Sequence, residues 1–510
     1  MNDYKLGEYH SPIHESRWAA EDEIKASATR VDLGAPSIPT AGLPVLSDGR
    51  IAYVDGKDTH SLIFGSTGSK KTRLFCMPLL GMLIKAGESF VATDPKGELY
   101  DRTSGLAQAN GYDVVALNFR DIGKGSMWNP LYIPYQLYHE GKTDAAVSML
   151  NDFVSAIAAP SMKNTNDAFW PQIASSYLLA VTLLLMECAT PEEANVASMG
   201  ALCNDHAATT LARLAEYMNS ETIAGMNFKA SLLTPERTRQ SIMAEAYGMV
   251  RAFNTQRELC NILSGNTVDL KQIGRRKTAL YLIIPDEKTT NHFLITMFLK
   301  QAYETLIAEA QKEKNRQLPV RVNFVLDEFC NIPMIPDMPS MISASRSRNM
   351  RYFLVVQSMH QLRDQYKENA DTIKGNCDNW VFLTSKELEL LEEISALCGN
   401  ICLPNGSMIR LISVSQLQRL KKEKGEALIM HCREYPIITE LADIDDYAAF
   451  SGYPAKPIGS FKVPEAKVFS AEALVDKVFH DELPVPFGKK INLPDTDEIM
   501  NALFGEAFDE

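Results

Sequence analysis

Eight residues with the composition of a phosphate-binding loop stand at positions 65 to 72, written GSTGSKKT. They follow the apolar run 61–64 and precede the apolar segment 74–83, which is the strand–loop–helix order of a P-loop. In such a loop, backbone N–H groups and a helix N-terminus surround the phosphates of a nucleotide. Lys71 is placed to reach the β- and γ-phosphates, and the Thr72 hydroxyl is placed to bind Mg²⁺. The predicted ATP-binding residues of the loop are Gly65, Ser66, Thr67, Gly68, Ser69, Lys70, Lys71 and Thr72.

One position departs from the usual P-loop pattern. Glycine normally precedes the Lys-Thr pair, and this sequence has Lys70 there. A side chain at that position either crowds the phosphate loop or needs a backbone angle that glycine tolerates better. Either effect lowers nucleotide affinity or removes the site. For the loop taken alone, a chance Gly/Ser-rich turn is the alternative.

A pair of carboxylates follows another apolar segment. Residues 320–326 are apolar and β-branched, and they end in Asp327-Glu328. A carboxylate at the end of a strand holds Mg²⁺ through water, and the next carboxylate orients and polarises the attacking water. We therefore predict that Asp327 joins Thr72 in binding nucleotide and Mg²⁺, and that Glu328 is catalytic. A solvent-facing acidic pair is the alternative for this pair on its own.

A third apolar run, 352–356, ends in Gln357, whose amide is suited to sense a γ-phosphate. Open α/β sheets bind their ligands outside the carboxyl ends of the strands. The loop, the carboxylate pair and Gln357 are therefore expected at one edge of one sheet. Lys71, Glu328 and Gln357 form the predicted catalytic set.

Three arginines lie within positions 346–351. Arg346 is the fourth predicted catalytic residue, as an arginine finger that acts across a subunit interface. A DNA-phosphate patch or a solvated helix end is equally open from the residues alone. Two other basic clusters, 274–277 and 419–424, are candidates for phosphate contacts in a channel, or ordinary solvated runs.

The elements that must position these residues alternate between strand and helix patterns. The predicted fold is α/β, with a RecA-like P-loop nucleotide-binding domain that is interrupted by an all-α domain. Strand patterns nearly vanish from about 135 to 270, where helical periodicity dominates and the segment 235–263 is predicted as one helix that starts at Thr234-Pro235. The tail from about 454 is expected to be irregular. The predicted domains are 1–58, 59–134, 135–270, 271–453 and 454–510.

Composition limits the classes of protein that fit. The chain has 510 residues, a net charge of −13 and a 45% hydrophobic share, which indicates a globular protein whose surface does not coat nucleic acid as a whole. The nine scattered cysteines favour a reducing compartment. No signal peptide is visible at the N-terminus. The apolar segment 173–189 is at the short limit for a membrane span, and a buried helix is the favoured interpretation.

Five short motifs together resemble the TraG-like type IV coupling proteins. They are GSTGSKKT at 65–72, DPKGEL at 94–99, WNPL at 128–131, LDEF at 326–329 and QSMHQL at 357–362. The segment ESRWA at 15–19 also looks like the stretch that follows the membrane anchor in that family. The similarity covers about residues 11 to 450.

The resemblance implies a conjugative ATPase that uses ATP and Mg²⁺ and helps to drive single-stranded DNA export. It also implies a hexameric ring with active sites between subunits, in which Arg346 is the best-placed arginine acting in trans. The implied partners are single-stranded or double-stranded DNA, a relaxase or other relaxosome protein bound by the all-α domain, and channel proteins of a type IV secretion system.

Family members generally carry an N-terminal anchor of about two spanning helices, which this sequence lacks. The chain as given is therefore expected to be cytoplasmic and peripheral at the cytoplasmic face of the cell membrane. The alternatives are a non-hydrolysing recruitment adaptor with a P-loop degraded at Lys70, and a coupling ATPase for protein effectors without DNA cargo.

Overall fold

The fold was analysed in a computed structural model that describes residues 16–163, 167–288, 291–459, 465–480 and 482–488. The chain forms two compact units. The first comprises Met1–Ser126 and Val268–Phe461, and the second comprises Met127–Thr267 and Lys462–Glu510. The nucleotide-loop sequence and the carboxylate pair both belong to the first unit.

The first unit contains a large mixed sheet, a three-stranded sheet and a two-stranded ribbon. The strands of the described residues, in chain order, are β1 Thr29–Asp32, β2 Leu43–Ser47, β3 Ile51–Asp55, β4 Ser61–Gly65, β5 Ser89–Asp94, β6 Asp113–Asn118, β7 Thr278–Ile283, β8 Val322–Leu326, β9 Met350–Val356, β10 Asn379–Thr384, β11 Asn400–Cys402, β12 Met408–Arg410, β13 Glu426–His431 and β14 Ile437–Glu440.

The large sheet has the strand order β14-β13-β10-β4-β9-β8-β5-β7-β6. The seven strands from β10 to β6 are parallel, whereas β13 and β14 are added antiparallel at one edge. Every residue of β4, β5, β7, β8 and β9 is buried. Burial on both faces explains why these strands read as continuous apolar runs rather than as alternating patterns. The structure confirms the predicted α/β class.

The α-helices, in chain order, are α1 Glu21–Ser27, α2 Met77–Ala86, α3 Glu98–Ala109, α4 Tyr132–His139, α5 Thr143–Lys163, α6 Phe169–Cys188, α7 Val196–Ala201, α8 Asp205–Ala215, α9 Ile223–Leu232, α10 Glu236–Met249, α11 Arg251–Thr255, α12 Arg257–Ile262, α13 His292–Gln311, α14 Met338–Ser345, α15 Met359–Tyr366, α16 Asn369–Gly375, α17 Leu388–Leu397, α18 Val414–Leu417 and α19 Ala471–Phe479. Helices α4 to α12 and α19 belong to the second unit, and the others belong to the first.

All the regular secondary structure among the described residues of the second unit is helical. Its helix starts are specified locally: the side chains of Asn195, Asn204 and Thr222 accept backbone N–H groups of α7, α8 and α9. Helix α6 is the one helix of the described chain with the length and hydropathy of a membrane span, and 67% of its apolar window is buried inside the protein. It packs against α5, α9 and α10 as the central helix of this unit.

Several sequence-based expectations differ from the structure in detail. The predicted helix 235–263 is three helices, α10 to α12, and Pro235 lies just before α10 with an extended ψ of 143°. Segment 1–58, expected to be mixed apart from a helical patch, also holds β1, β2 and β3. In the tail from 454, expected to be irregular, α19 packs against α8, and its N-cap Ser470 accepts the N–H of Ala473.

Candidate nucleotide-binding site

The loop 65–72 leaves the carboxyl end of β4, as the sequence predicts. A Cβ atom on Gly65 would lie 2.4 Å from Ser69 Oγ and 2.7 Å from Lys71 Cγ, so only glycine fits there. Gly68 has φ of +79°, in the left-handed region that glycine enters freely. The loop then leads into a π-helical turn, Thr72–Cys76, and helix α2.

Lys70 also adopts a left-handed backbone, with φ of +63°. A non-glycine residue in this conformation costs on the order of 1–2 kcal/mol. The Lys70 side chain is exposed. Of the two effects expected from this residue, the structure therefore shows the unfavourable backbone angle and not a crowded loop.

Lys71 and Thr72 point from the loop toward the neighbouring strand ends. The buried Lys71 ammonium donates a hydrogen bond to the Gly65 carbonyl at 2.6 Å and lies 3.7 Å from Glu328 Oε1. The Thr72 hydroxyl donates to Asp327 Oδ2 at 2.8 Å, across 255 residues of sequence. The loop and the carboxylate pair thus form one cluster.

The carboxylate pair follows β8 directly. Asp327 is buried, and this burial, together with the adjacent Glu328 charge, raises its pKa to about 6, against the opposing effects of Thr72 and Lys71. Glu328 has φ of +53°, a second strained non-glycine position. Such conformations recur at ligand-binding sites, where the surroundings hold the residue in place.

Gln357 connects the loop with Glu328. It follows β9, which lies between β4 and β8 in the sheet. Its amide Nε2 donates to Glu328 Oε2 at 2.5 Å, and its Oε1 accepts the Thr67 hydroxyl at 3.3 Å. The structure therefore brings Lys71, Thr72, Asp327, Glu328 and Gln357 together at one sheet edge.

Arg346 is not part of this cluster within the chain. It precedes β9, whereas Gln357 follows the same strand, and seven strand residues span about 20 Å. Its guanidinium lies 2.7 Å from Asp378 and 3.6 Å from Asp58, which precede β10 and β4. Arg346 thus lies at the amino edge of the parallel strands, opposite the loop.

Asp94 is a site residue that sequence reasoning left without a role. It ends β5, beside β8, and its Oδ2 accepts the backbone N–H of Tyr100 at 2.8 Å. Burial raises its pKa to about 7, backbone donors oppose this shift, and the Asp327 charge adds to it. Its Oδ1 has no hydrogen-bond partner among the described residues. The signal available in the sequence was its position as a strand-ending carboxylate in DPKGEL.

Arg73 is a second residue without a predicted role. Its guanidinium donates to Asp443 and to Asp445, so the first turn after the loop is joined to the segment that follows β14. These partners are 370 and 372 residues away in sequence, and no local pattern indicates the contact.

The cluster has the groups that a nucleoside triphosphate with Mg²⁺ requires. The loop supplies backbone N–H groups and the Lys71 ammonium for phosphate oxygens, and the Thr72–Asp327 pair supplies oxygen ligands of the kind that Mg²⁺ prefers. The buried Asp327, with its raised pKa, would be stabilised in its charged form by a divalent cation. The residues present therefore fit both ligands.

The chain is similar to a described family and to proteins of known structure. The family model described as Type IV secretory system Conjugative DNA transfer matches residues 16–423. The conjugal transfer protein TraG of Escherichia coli is 24% identical over 526 residues, which cover 93% of this chain and 79% of TraG.

Two solved structures of the plasmid coupling protein TrwB share the fold. TrwB in complex with the non-hydrolysable ATP analogue ADPNP has a TM-score of 0.62 at 13% identity, over 91% of this chain and 100% of that one. TrwB in complex with ADP and Mg²⁺ has a TM-score of 0.59 at 13% identity, over 92% and 100% of the two chains.

Proposed function

This chain belongs to the conjugative DNA-transfer family of type IV secretory systems and is a coupling protein of that family, and we propose that it hydrolyses ATP with Mg²⁺ to drive single-stranded DNA transfer. The main support is the contact network at the ends of three adjacent strands. Lys71, Thr72, Asp327, Glu328 and Gln357 come from distant parts of the sequence and lie within hydrogen-bonding or ion-pairing reach of one another. Further support comes from TrwB, which shares the fold and whose structures were solved in complex with ADPNP and with ADP and Mg²⁺.

Each residue of the network has a proposed role in hydrolysis. The loop amides and Lys71 would bind the phosphates, and Thr72 and Asp327 would hold Mg²⁺, which supplies positive charge to the phosphates when bound. Glu328 orients the attacking water and accepts its proton. Gln357 fixes the Glu328 carboxylate through its 2.5 Å hydrogen bond and links it to Thr67 of the loop.

Ligand binding must exchange one contact of the present arrangement. Lys71 has to leave the Gly65 carbonyl to reach the phosphates, whereas the Thr72 hydroxyl can keep donating to Asp327 while its oxygen binds Mg²⁺. Gln357 contacts both Thr67 of the loop and Glu328. A nucleotide that binds to the loop and moves Thr67 would therefore also shift Glu328 through Gln357.

The proposed partners follow from the family. They are single-stranded or double-stranded DNA, a relaxase or another relaxosome protein bound by the helical region 135–270, and channel proteins at the cytoplasmic face of the membrane, where the chain would be peripheral. A homohexamer is the proposed active form. In it, Arg346 would act in trans, since its distance from the loop of its own chain prevents it from acting in cis.

A steady-state ATPase assay with and without single-stranded DNA tests this proposal. We expect DNA to stimulate turnover, and we expect Lys71→Ala and Glu328→Gln each to lower it by about 100-fold or more. Lys142→Ala, at an exposed position in the helical unit, is the matched control and should retain full turnover. The hydrolase proposal fails if no DNA or salt condition yields hydrolysis that depends on Glu328.

One observation favours the second candidate, a non-hydrolysing recruitment adaptor: the left-handed backbone of Lys70. Comparison of Lys70→Gly with Lys70→Ala separates the effect of strain from that of charge. Both remove the ammonium, but only glycine relieves the strain, so Lys70→Gly should be more stable than Lys70→Ala by about 1 kcal/mol. Chemical denaturation measures this difference.

The same two variants distinguish the candidates in the ATPase assay. If the protein is an ATPase, the unmodified chain hydrolyses ATP, and the Lys70→Gly variant does so at an equal or higher rate. An adaptor shows none in the parent chain and gains turnover only in Lys70→Gly. A protein-effector ATPase would hydrolyse ATP without any response to DNA.

A further inference from the structure

A second cluster of reactive side chains lies at the opposite end of the large sheet from the nucleotide loop. It consists of Asp55 at the end of β3 and His431 and Cys432 at the end of β13. One potential ligand atom from each of the three residues lies within 4.8 Å of the other two. Asp55 and His431 are almost fully buried, at 2% and 0% exposure.

His431 has an unusual environment for a buried imidazole. Neither ring nitrogen has a hydrogen-bond partner among the described residues. Its Nε2 lies 3.6 Å from Asp55 Oδ2, which is too long for a hydrogen bond. A buried polar group without a hydrogen bond is costly, so an imidazole that faces the Asp55 carboxylate only at 3.6 Å calls for a further partner.

Asn379 forms hydrogen bonds to both Asp55 and Cys432. Its Nδ2 donates to Asp55 Oδ2 at 2.7 Å, and its Oδ1 accepts the backbone N–H of Cys432 at 3.1 Å. Thr59 donates a further hydrogen bond to Asp55. Hydrogen bonds of this kind to a carboxylate are the usual support for a metal ligand, because they fix its orientation.

The backbone at Cys432 is held in a costly conformation that points to a constrained site. Its φ is +52°, in the left-handed region, although it is not glycine. Such strain persists only where the surroundings fix the residue. The Cys432 side chain is half-buried, which gives solvent and a small ion a route to the cluster.

From this geometry, we infer that Asp55, His431 and Cys432 bind a divalent transition-metal ion of the zinc type, with solvent as a fourth ligand. A thiolate, an imidazole and a carboxylate are the three side-chain ligands that Zn²⁺ takes in proteins. The charges of Asp55 and a Cys432 thiolate would neutralise the ion, as burial requires. Binding forms bonds from the ion to the Cys432 sulfur, a His431 nitrogen and an Asp55 oxygen, and it releases the thiol proton, with any second proton on the imidazole, to solvent.

The site would be structural rather than catalytic. Asp55 ends a strand of the small sheet, whereas His431 pairs with Asn379 in the large sheet. An ion held between them links the two sheets at the edge opposite the nucleotide loop. Its loss should lower the unfolding temperature and leave nucleotide affinity unchanged.

The test is metal analysis of the full chain purified with a histidine-free tag from zinc-supplemented cells. We expect about one zinc per chain, and a several-fold lower content in Cys432→Ser and in His431→Asn. Cys402→Ser is the matched control, because Cys402 is another half-buried thiol of the same unit outside the cluster. It should keep its zinc.

Cobalt substitution of the unmodified chain tests the same ligands without relying on variants that fold poorly. Co²⁺ should produce a thiolate charge-transfer band in the near ultraviolet, retained in Cys402→Ser. Absence of both zinc and this band overturns the proposal and leaves a buried Asp–His ion pair. Equal loss of metal in Cys402→Ser and Cys432→Ser also overturns it.

Discussion

Asp94 ends strand β5, and Asp327 directly follows the neighbouring strand β8, so both carboxylates lie at the sheet edge that carries the loop 65–72. The structure raises the pKa of Asp94 to about 7 and that of Asp327 to about 6, mainly through burial. Both groups therefore resist charging in the ligand-free protein. A cation that enters the site would reverse this, so Mg²⁺ binding should strengthen as pH rises through these values.

The raised pKa of Asp94 predicts a pH-dependent effect of Asp94→Asn on stability. The folded chain holds the Asp94 proton more tightly than the unfolded chain, so this group favours folding below about pH 4 and loses that contribution as pH rises to about 7. The amide cannot ionise and can still accept the N–H of Tyr100. We expect Asp94→Asn to raise the free energy of unfolding by up to about 4 kcal/mol at pH 8 and to have little effect at pH 4.

Urea denaturation at the two pH values measures this difference. Asp113→Asn, at an exposed position at the start of β6, is the control and should show no such pH dependence. If Asp94→Asn raises the free energy of unfolding equally at both pH values, ionisation of Asp94 is not the cause of the increase.

At the level of elements, the core strands were readable from sequence because they are buried on both faces. Their continuous apolar runs ending in Gly65, Asp327 and Gln357 predicted both the strands and the edge where the side chains meet. The hairpin of β2 and β3 was missed, although Asp48-Gly49 between two apolar runs is a hairpin signal. Contacts such as Arg73 with Asp443 join elements far apart in sequence, and periodicity carries no information about such pairs.

Glycine in helices has opposite effects in the two units, and this can be measured. A Cβ on Gly81 of α2 would lie 2.6 Å from the buried Phe450 ring, whereas a Cβ on Gly248 of α10 meets nothing within 4 Å. Gly81→Ala should destabilise the protein by about 1–3 kcal/mol through overpacking. Gly248→Ala should stabilise its helix by about 0.5–1 kcal/mol. Thermal unfolding of both variants checks the pair, and a stabilising Gly81→Ala would contradict the close packing of α2 on Phe450.

At the scale of the whole molecule, the helical unit combines segments from two distant parts of the chain. Loss of strand patterns indicated the insertion, because helical periodicity is a local property. Assignment of α19 to the same unit depends on long-range contacts, such as Arg213 over the Phe479 ring at 5.2 Å. Such a contact becomes visible only in three dimensions.

The position of Arg346 yields a prediction about assembly. In one chain Arg346 lies at the sheet edge opposite Lys71, so a site that uses both residues must take them from two subunits. In the proposed hexamer, the Lys71→Ala and Arg346→Ala variants should each be inactive in an ATPase assay. When the two variants are mixed and allowed to exchange subunits, about a quarter of the interfaces pair an intact Lys71 with an intact Arg346. Turnover should therefore recover to about a quarter of the unmodified rate. The control mixture of Lys71→Ala with Glu328→Gln should recover none, because both residues belong to the half of the site that one chain supplies. Without recovery in the first mixture, Arg346 does not complete a neighbour's site, and its ion pairs with Asp58 and Asp378 would be its whole role.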